Sequence, residues 1–318
     1  MSYLSKFGYD ESYFNELLLK TITEDAVLEG EEVLKSALCE LISNGGKRIR
    51  PLFLLMATDL GTSTSKELRY LAAVAIELLH FSSLIHDDII DHSQMRHNVL
   101  TLHERYNKKI ALKMGNYTLN KSLELFSTIP IPNLHLQLAD TMKQLCLGEL
   151  RQQDDLFNLN LSLEDYIQKS YQKTGTLISA SLIIGGILSN LTDDELEQLK
   201  DLGNSIGIAY QIKDDILDFS SHSTHLGKPV GHDLKEGVIT LPTIFALEDD
   251  LFKEDISQIK KNWNYHLFDS LCQRIRNGGS IKRSKDLCQT YINTTQSIAS
   301  HFPQLQPKIY DLINLIFN

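Results

Sequence analysis

Two aspartate clusters of one design, Asp87-Asp88-Ile89-Ile90-Asp91 and Asp214-Asp215-Ile216-Leu217-Asp218, lie more than a hundred residues apart in this chain. In a helix, positions i, i+1 and i+4 point to nearly one side, so each cluster aims three carboxylates at a single spot. Like charges at i,i+4 oppose the helix by roughly 0.2–0.5 kcal/mol per pair, so building the pattern twice calls for a compensating cation. Magnesium suits hard oxygen donors, and it takes one or two carboxylates per ion while water and phosphate fill its other positions. The expected metal ligands are Asp87, Asp88, Asp91, Asp214, Asp215 and Asp218, and two such clusters suggest a cage for a diphosphate. A lone DDxxD is usually a solvated helix face, but here the first ends an apolar run, Tyr70 to Ile90, and the second is embedded in Ile206 to Phe219.

Cations to meet a phosphate accompany the acids. Gly45-Gly46-Lys47-Arg48-Ile49-Arg50-Pro51 sets two glycines before a basic run, so backbone can approach an anion while Lys47 and Arg50 supply charge. Lys173-Thr174-Gly175 and Gly227-Lys228-Pro229 are further candidates, the second in a loop after the second acid cluster. Each alone is more often a helix end with a solvated lysine. Together they balance the charge of a diphosphate substrate.

The elements that must carry these groups are helices. At about 100° per residue, His80, Ser83, Asp87 and Asp91 share one stripe with Asp88 at its edge, while Leu71, Val74, Leu78, Leu79 and Ile85 cover other faces. On the second helix Gln211, Asp214, Asp215 and Asp218 share a side, beside an apolar stripe of Ile208, Ile212, Ile216 and Phe219. No proline occurs from Leu52 to Ile129 or from Asn133 to Lys228, and both segments are rich in helix formers at helical spacing. Thr176 to Leu188 reads as a buried helix, too short to span a bilayer, closed by Ser189-Asn190. The next helix starts with Thr192 as N-cap, Glu195 completing a capping box and Leu191 stapled to Leu196.

No linker, low-complexity tract or internal repeat beyond the acid motifs breaks the 318 residues, so residues 1–318 are expected to form a single all-α domain. The six motif aspartates carry more than half of the net charge of −10, and no basic stripe with interleaved aromatics offers a nucleic-acid surface. The four scattered cysteines read as reduced thiols of an intracellular protein. The N-terminal segment has neither a signal-peptide nor a transit-peptide pattern, so a cytoplasmic location is expected.

In GGKRIRP, ELLHFSSLIHDDIID, KTG, YQIKDDILDF, LGKPVGHDL and ITLP, in that order from about Gly45 to Pro242, the chain resembles the trans-isoprenyl diphosphate synthases (polyprenyl synthetases), of long-chain or geranylgeranyl type. The resemblance implies a bundle of long antiparallel helices around a deep central cavity, and a homodimer. It implies head-to-tail prenyl transfer from an allylic diphosphate to isopentenyl diphosphate, supported by three magnesium ions. Asp87, Asp91 and Asp214 would be the main ligands, with Asp88, Asp215 and Asp218 acting through water. By the same resemblance Arg96, Lys173 and Lys228 hold the allylic diphosphate, Lys47, Arg50 and His80 hold isopentenyl diphosphate, and Thr174 and Gln211 place oxygen dipoles near the carbocation. By the same resemblance the product would be one for delivery to a membrane.

The chain departs from the family pattern at three places. His97 stands where a second arginine usually binds isopentenyl diphosphate, Asn116 where an aspartate follows Gly115, and Val238 where a lysine is usual. Short-chain members carry bulky aromatics four or five residues before the first aspartate, and this chain has Ser82 and Ser83. A growing tail is therefore expected to pass Ser83, with Leu79 and Ile76 as the next floor, giving a product of geranylgeranyl length or beyond. Two rivals remain: a catalytic subunit of a heteromeric synthase that needs a partner chain, and an HD-type metal phosphohydrolase suggested by His86-Asp87 among nearby histidines.

Overall fold

The computed structural model describes residues 2–43, 46–62, 64–96, 99–220 and 230–317. His97, Lys228, Gly45 and Gly227 lie outside the described residues. The described chain is helical apart from one two-stranded ribbon, in which Met95 pairs with Leu100 and Arg96 with Val99. It forms two compact units, one of Met1–Leu138 with Ala180–Lys200 and the other of Ala139–Ser179 with Asp201–Asn318.

The first unit is built on the helix Lys66–Ile90, which carries the first acid cluster. Ser65 caps it by accepting from the Leu68 amide, and it packs chiefly against Lys108–Ser127, capped in the same way by Asn107. Small side chains make the approach close. The Ser122 hydroxyl donates to the Ala75 carbonyl at 2.7 Å, and a Cβ on Gly115 would lie 2.7 Å from the His86 ring. Among the described residues Lys66–Ile90 is long and apolar enough to cross a membrane, a longer apolar helix than the Thr176–Leu188 run that stands out in the sequence. Its apolar residues are nevertheless occupied in this unit, where Ala72, Ala73, Val74, Ala75, Ile76 and Leu78 are fully buried. Burying such side chains contributes about 1.5–3 kcal/mol for each of the larger ones.

The second unit holds the second acid cluster near the end of the helix Asp193–Asp218. The expected capping box is present: Glu195 accepts from the Thr192 amide at 2.8 Å, and Thr192 Oγ1 accepts from the Glu195 amide at 3.4 Å. Preceding it in the chain, the helix Leu163–Ser170 runs into a π-helical turn, Tyr171–Gly175, that continues as Thr176–Leu188. Gly207 lies so close to this turn that a Cβ on it would be 2.3 Å from Gly175 Cα, and one on Gly203 would be 2.5 Å from Ser179 Cα. Two glycines one turn apart thus let Asp193–Asp218 lie directly on the backbone at Thr174, Gly175 and Ser179. A separate apolar cluster including Phe219, Leu234, Ile239, Phe252 and Leu271 holds the segment that follows the acids.

Candidate active site

In the first unit the DDxxD motif is divided by burial. Asp87 is half-buried and Asp91 exposed, while Asp88 is 8% exposed. The strand Met95–Arg96 turns Arg96 back onto Asp88, and its Nε donates to both carboxylate oxygens at 2.9 Å while Nη2 lies 2.8 Å from Oδ1. Burial pulls the Arg96 guanidinium downward, but Asp88 first, and then Asp87 and Asp91, outweigh it and hold its pKa above the ordinary arginine value. Arg96 thus lies within the field of all three acids.

In the same unit Arg50, in the helix Ile49–Thr58, places Nη1 2.9 Å from Nε2 of His80 on Lys66–Ile90, so two of the three expected isopentenyl diphosphate ligands meet; Lys47 is exposed nearby in sequence. Ser83 is half-buried with its hydroxyl turned back to the His80 carbonyl at 2.9 Å. Ser82 points elsewhere: it is 3% exposed and donates to the Gly115 carbonyl at 3.0 Å, in the packing against Lys108–Ser127. Leu79 and Ile76 are buried. His86, the basis of the phosphohydrolase rival, has Nδ1 2.8 Å from the Ser82 carbonyl and Nε2 3.1 Å from Asn116 Oδ1, so both nitrogens are engaged away from the acids.

The second cluster is divided in the same way but held differently. Asp214 is exposed, Asp218 half-buried and Asp215 1% exposed. Asp215 accepts from the Tyr166 hydroxyl at 2.6 Å and from Gln211 Nε2 at 2.8 Å, with the Leu241 amide at 3.4 Å. Thr174 Oγ1 donates to Gln211 Oε1 at 2.7 Å, so the π-helical turn, the glutamine and the buried aspartate form one chain. Asp218 accepts from the backbone amides of His232 and Asp233. Lys173 donates to Gln152.

Among the described residues these hydrogen-bond donors are neutral. Burial, then the nearby Asp233 carboxylate, push Asp215 up to about 7, and the same two causes push Asp218 up to about 8 against the pull of the two backbone amides. Burial also lowers Lys169, which sits among Asp155, Asp215 and Asp233 and hydrogen-bonds weakly, at 3.5 Å, to the Ile239 carbonyl.

The donor set fits magnesium. It is all oxygen, and the accessible members, Asp87 and Asp91 in one unit and Asp214 in the other, match the one or two carboxylates magnesium takes alongside phosphate and water. Among the described residues no three His, Cys, Asp or Glu side chains gather into a protein-only metal cage. The residues that hold this frame were not apparent from sequence. Tyr166 stands seven residues before Lys173, two helical turns away, a spacing that could have been noticed; Gln152 and Asp233 carry no local signal.

The fold is all-α among the described residues, and each acid cluster buries one carboxylate and leaves others accessible, the pattern of a helical protein that presents acids at a site. Residues 31–267 match the model of the polyprenyl synthetase family. Heptaprenyl diphosphate synthase component 2 of Bacillus subtilis (strain 168) is 33% identical over 289 residues, covering 90% of this chain and 83% of that protein. The crystal structure of heptaprenyl diphosphate synthase from Staphylococcus aureus superposes with a TM-score of 0.87 at 33% identity, covering 96% of this chain and 95% of that one. A polyprenyl synthase from Caulobacter crescentus CB15, complexed with calcium and isoprenyl diphosphate, has a TM-score of 0.84 at 26% identity, covering 94% of this chain and 91% of that one. This chain belongs to the polyprenyl synthetase family and is a prenyltransferase.

Proposed function

We propose that this protein joins isopentenyl diphosphate head-to-tail to an allylic diphosphate, giving an all-trans polyprenyl diphosphate of geranylgeranyl length or longer. The observation that carries the reading is the paired DDxxD helices, each burying one aspartate on protein partners and leaving others accessible. Asp87, Asp91 and Asp214 would hold magnesium, three ions in all. The ions, when bound, neutralise the departing diphosphate as Lewis acids. Arg96 and Lys173 add fixed positive charge to the leaving group. Arg50 and His80, with Lys47, hold isopentenyl diphosphate so that its double bond attacks the allylic cation, a gain from proximity. The C–O bond to diphosphate breaks, the new C–C bond takes the isopentenyl π electrons, and the lost proton goes to the released diphosphate. Thr174 and Gln211, fixed by their mutual hydrogen bond, present oxygen dipoles to the cation.

A homodimer is the first reading of its assembly. The name of the Bacillus subtilis relative, a component 2, supports a second: a catalytic subunit that works with a different partner chain. Incubating the purified chain with magnesium, isopentenyl diphosphate and each allylic primer, then weighing the products by mass spectrometry, tests both. Products of geranylgeranyl length or longer from the chain alone support the first reading, and activity that appears only with a partner supports the second. No elongation under any of these conditions would overturn the proposed function.

A further inference from the structure

Arg48 lies between Lys47 and Arg50, and nothing in the proposed chemistry uses it. It is 4% exposed, and its backbone sits at φ 52°, ψ 42°, the left-handed region that a residue other than glycine enters at a cost. It is the N-cap of the helix Ile49–Thr58, yet its side chain makes no capping bond. The guanidinium turns inward instead. Nη1 lies 2.8 Å from Glu77 Oε1, Nη2 donates to the Ile42 carbonyl at 2.8 Å, and the Phe81 ring centroid is 5.3 Å from the guanidinium carbon.

Glu77, His80 and Phe81 are spaced i, i+3 and i+4, so they share one face of Lys66–Ile90. Arg48 therefore docks on the face from which His80 meets Arg50, and the His80 and Phe81 rings stack with centroids 6.4 Å apart. The backbone on the other side is tied as well, because the Lys47 carbonyl accepts from the Tyr3 amide at 3.0 Å. As a stabiliser the ion pair is a poor choice. Glu77 is 3% exposed, and its Oε2 is buried with no hydrogen-bond partner. A buried pair so incompletely satisfied recovers little of its desolvation cost, and the left-handed backbone adds strain. What the arrangement does secure is geometry: a rigid bidentate fork locks the turn at one residue while its neighbours stay available.

We propose that Arg48 is a positioning residue, which by docking on Glu77 and the Ile42 carbonyl holds Lys47 and Arg50 in the arrangement that receives the diphosphate of isopentenyl diphosphate. This rests on the reading of Lys47, Arg50 and His80 as that substrate's ligands. Removing Arg48 alone would leave Glu77 charged and buried, so the informative variant removes both partners, Arg48→Met with Glu77→Leu. The full chain is assayed with magnesium, and the KM values for isopentenyl diphosphate and for the allylic primer are measured separately, with thermal unfolding recorded in parallel. The double variant is expected to keep a cooperative unfolding transition, to raise the isopentenyl KM by about tenfold or more, and to leave the allylic KM within about twofold. An isopentenyl KM equal to wild type, or both constants rising together, overturns the proposal.

Lys47→Ala and Arg50→Ala separate the two levels. If they raise the isopentenyl KM and the double variant does not, Arg48 is structural only and the ligand reading stands. If they leave it unchanged, that reading fails and the proposal fails with it. Should the double variant not fold, Arg48→Lys carries the test, since an ammonium keeps the charge but not the fork that spans Glu77 and Ile42. The same selective rise in isopentenyl KM supports the proposal, and wild-type behaviour overturns it.

Discussion

The two DDxxD clusters are alike in sequence and unlike in how the protein keeps their buried aspartate. Asp88 is clasped by a guanidinium that donates to both its oxygens, whereas among the described residues Asp215 accepts from a phenol, an amide side chain and a backbone amide, with Asp233 adding like charge. One cluster carries its own cation. In the other, burial and the nearby Asp233 carboxylate push two carboxyls upward. Identical spacing on a helix therefore fixes where carboxylates point and leaves their charge state to partners brought in from elsewhere.

Removing an accessible carboxylate gives the largest effect in either cluster. Asp87→Ala or Asp214→Ala is expected to reduce turnover by about three orders of magnitude or more with helicity unchanged, because neither residue is part of the core. Circular dichroism and the elongation assay check this, and near-normal rates in either variant would sink the metal assignment.

The contrast in charge predicts a pH effect confined to the second cluster. Asp215 and Asp218 bind protons more tightly in the fold than in the unfolded chain, so their contribution to metal-free stability is complete below the ordinary carboxylate value of 3.8 and is lost as pH rises through about 7 and about 8. A magnesium ion held by Asp214 would favour the ionised forms of its neighbours Asp215 and Asp218. Its apparent affinity should rise with pH up to about 8, by up to about tenfold per unit for each proton released. Magnesium titrations at several pH values read this slope, and Asp233→Asn, which removes the second of the two causes while burial remains, should move it to lower pH. A pH dependence unmoved by Asp233→Asn would show that Asp233 does not raise the two carboxyls.

Breaking the two clasps should separate them on stability. Arg96→Met leaves Asp88 without a cation and is expected to cost about 3–5 kcal/mol, reduced because Arg96 is one-third exposed. Tyr166→Phe removes one neutral donor and should cost about 1–2 kcal/mol. Chemical denaturation measures both, and equal losses would erase the distinction.

A final pair of variants uses Ser82 and Ser83. Ser83→Phe is expected to shift products toward farnesyl or geranylgeranyl length with activity retained, whereas Ser82→Phe should reduce stability by about 1–3 kcal/mol, because Ser82 lies against Gly115. Product mass and unfolding midpoints distinguish the two; an unchanged product distribution for Ser83→Phe removes it from the elongation path.

Much of this was legible in the chain. Helical period placed His80, Ser83, Asp87 and Asp91 on one stripe, and each is at least partly exposed in the structure. The Thr192–Glu195 box marked a helix start correctly because capping is a contact across three residues. Sequence alone places Ser82 with Ser83 on the product path, and the structure separates them: one residue turns a side chain by about 100° around a helix, enough to move it into the packing against Gly115.

What the sequence determined by itself was therefore local and periodic: helices, their caps, and two stripes of acid whose mutual repulsion called for a cation. Tertiary structure decided which acid of each stripe is buried, that Arg96 clasps Asp88 while Tyr166 and Gln211 hold Asp215, and that Arg48 turns inward to Glu77. Helical periodicity is set by backbone geometry within a few residues. Gln211 is within one turn of Asp215, but Arg96 is 8 residues from Asp88 and Tyr166 is 49 from Asp215, and such groups meet only when the chain packs.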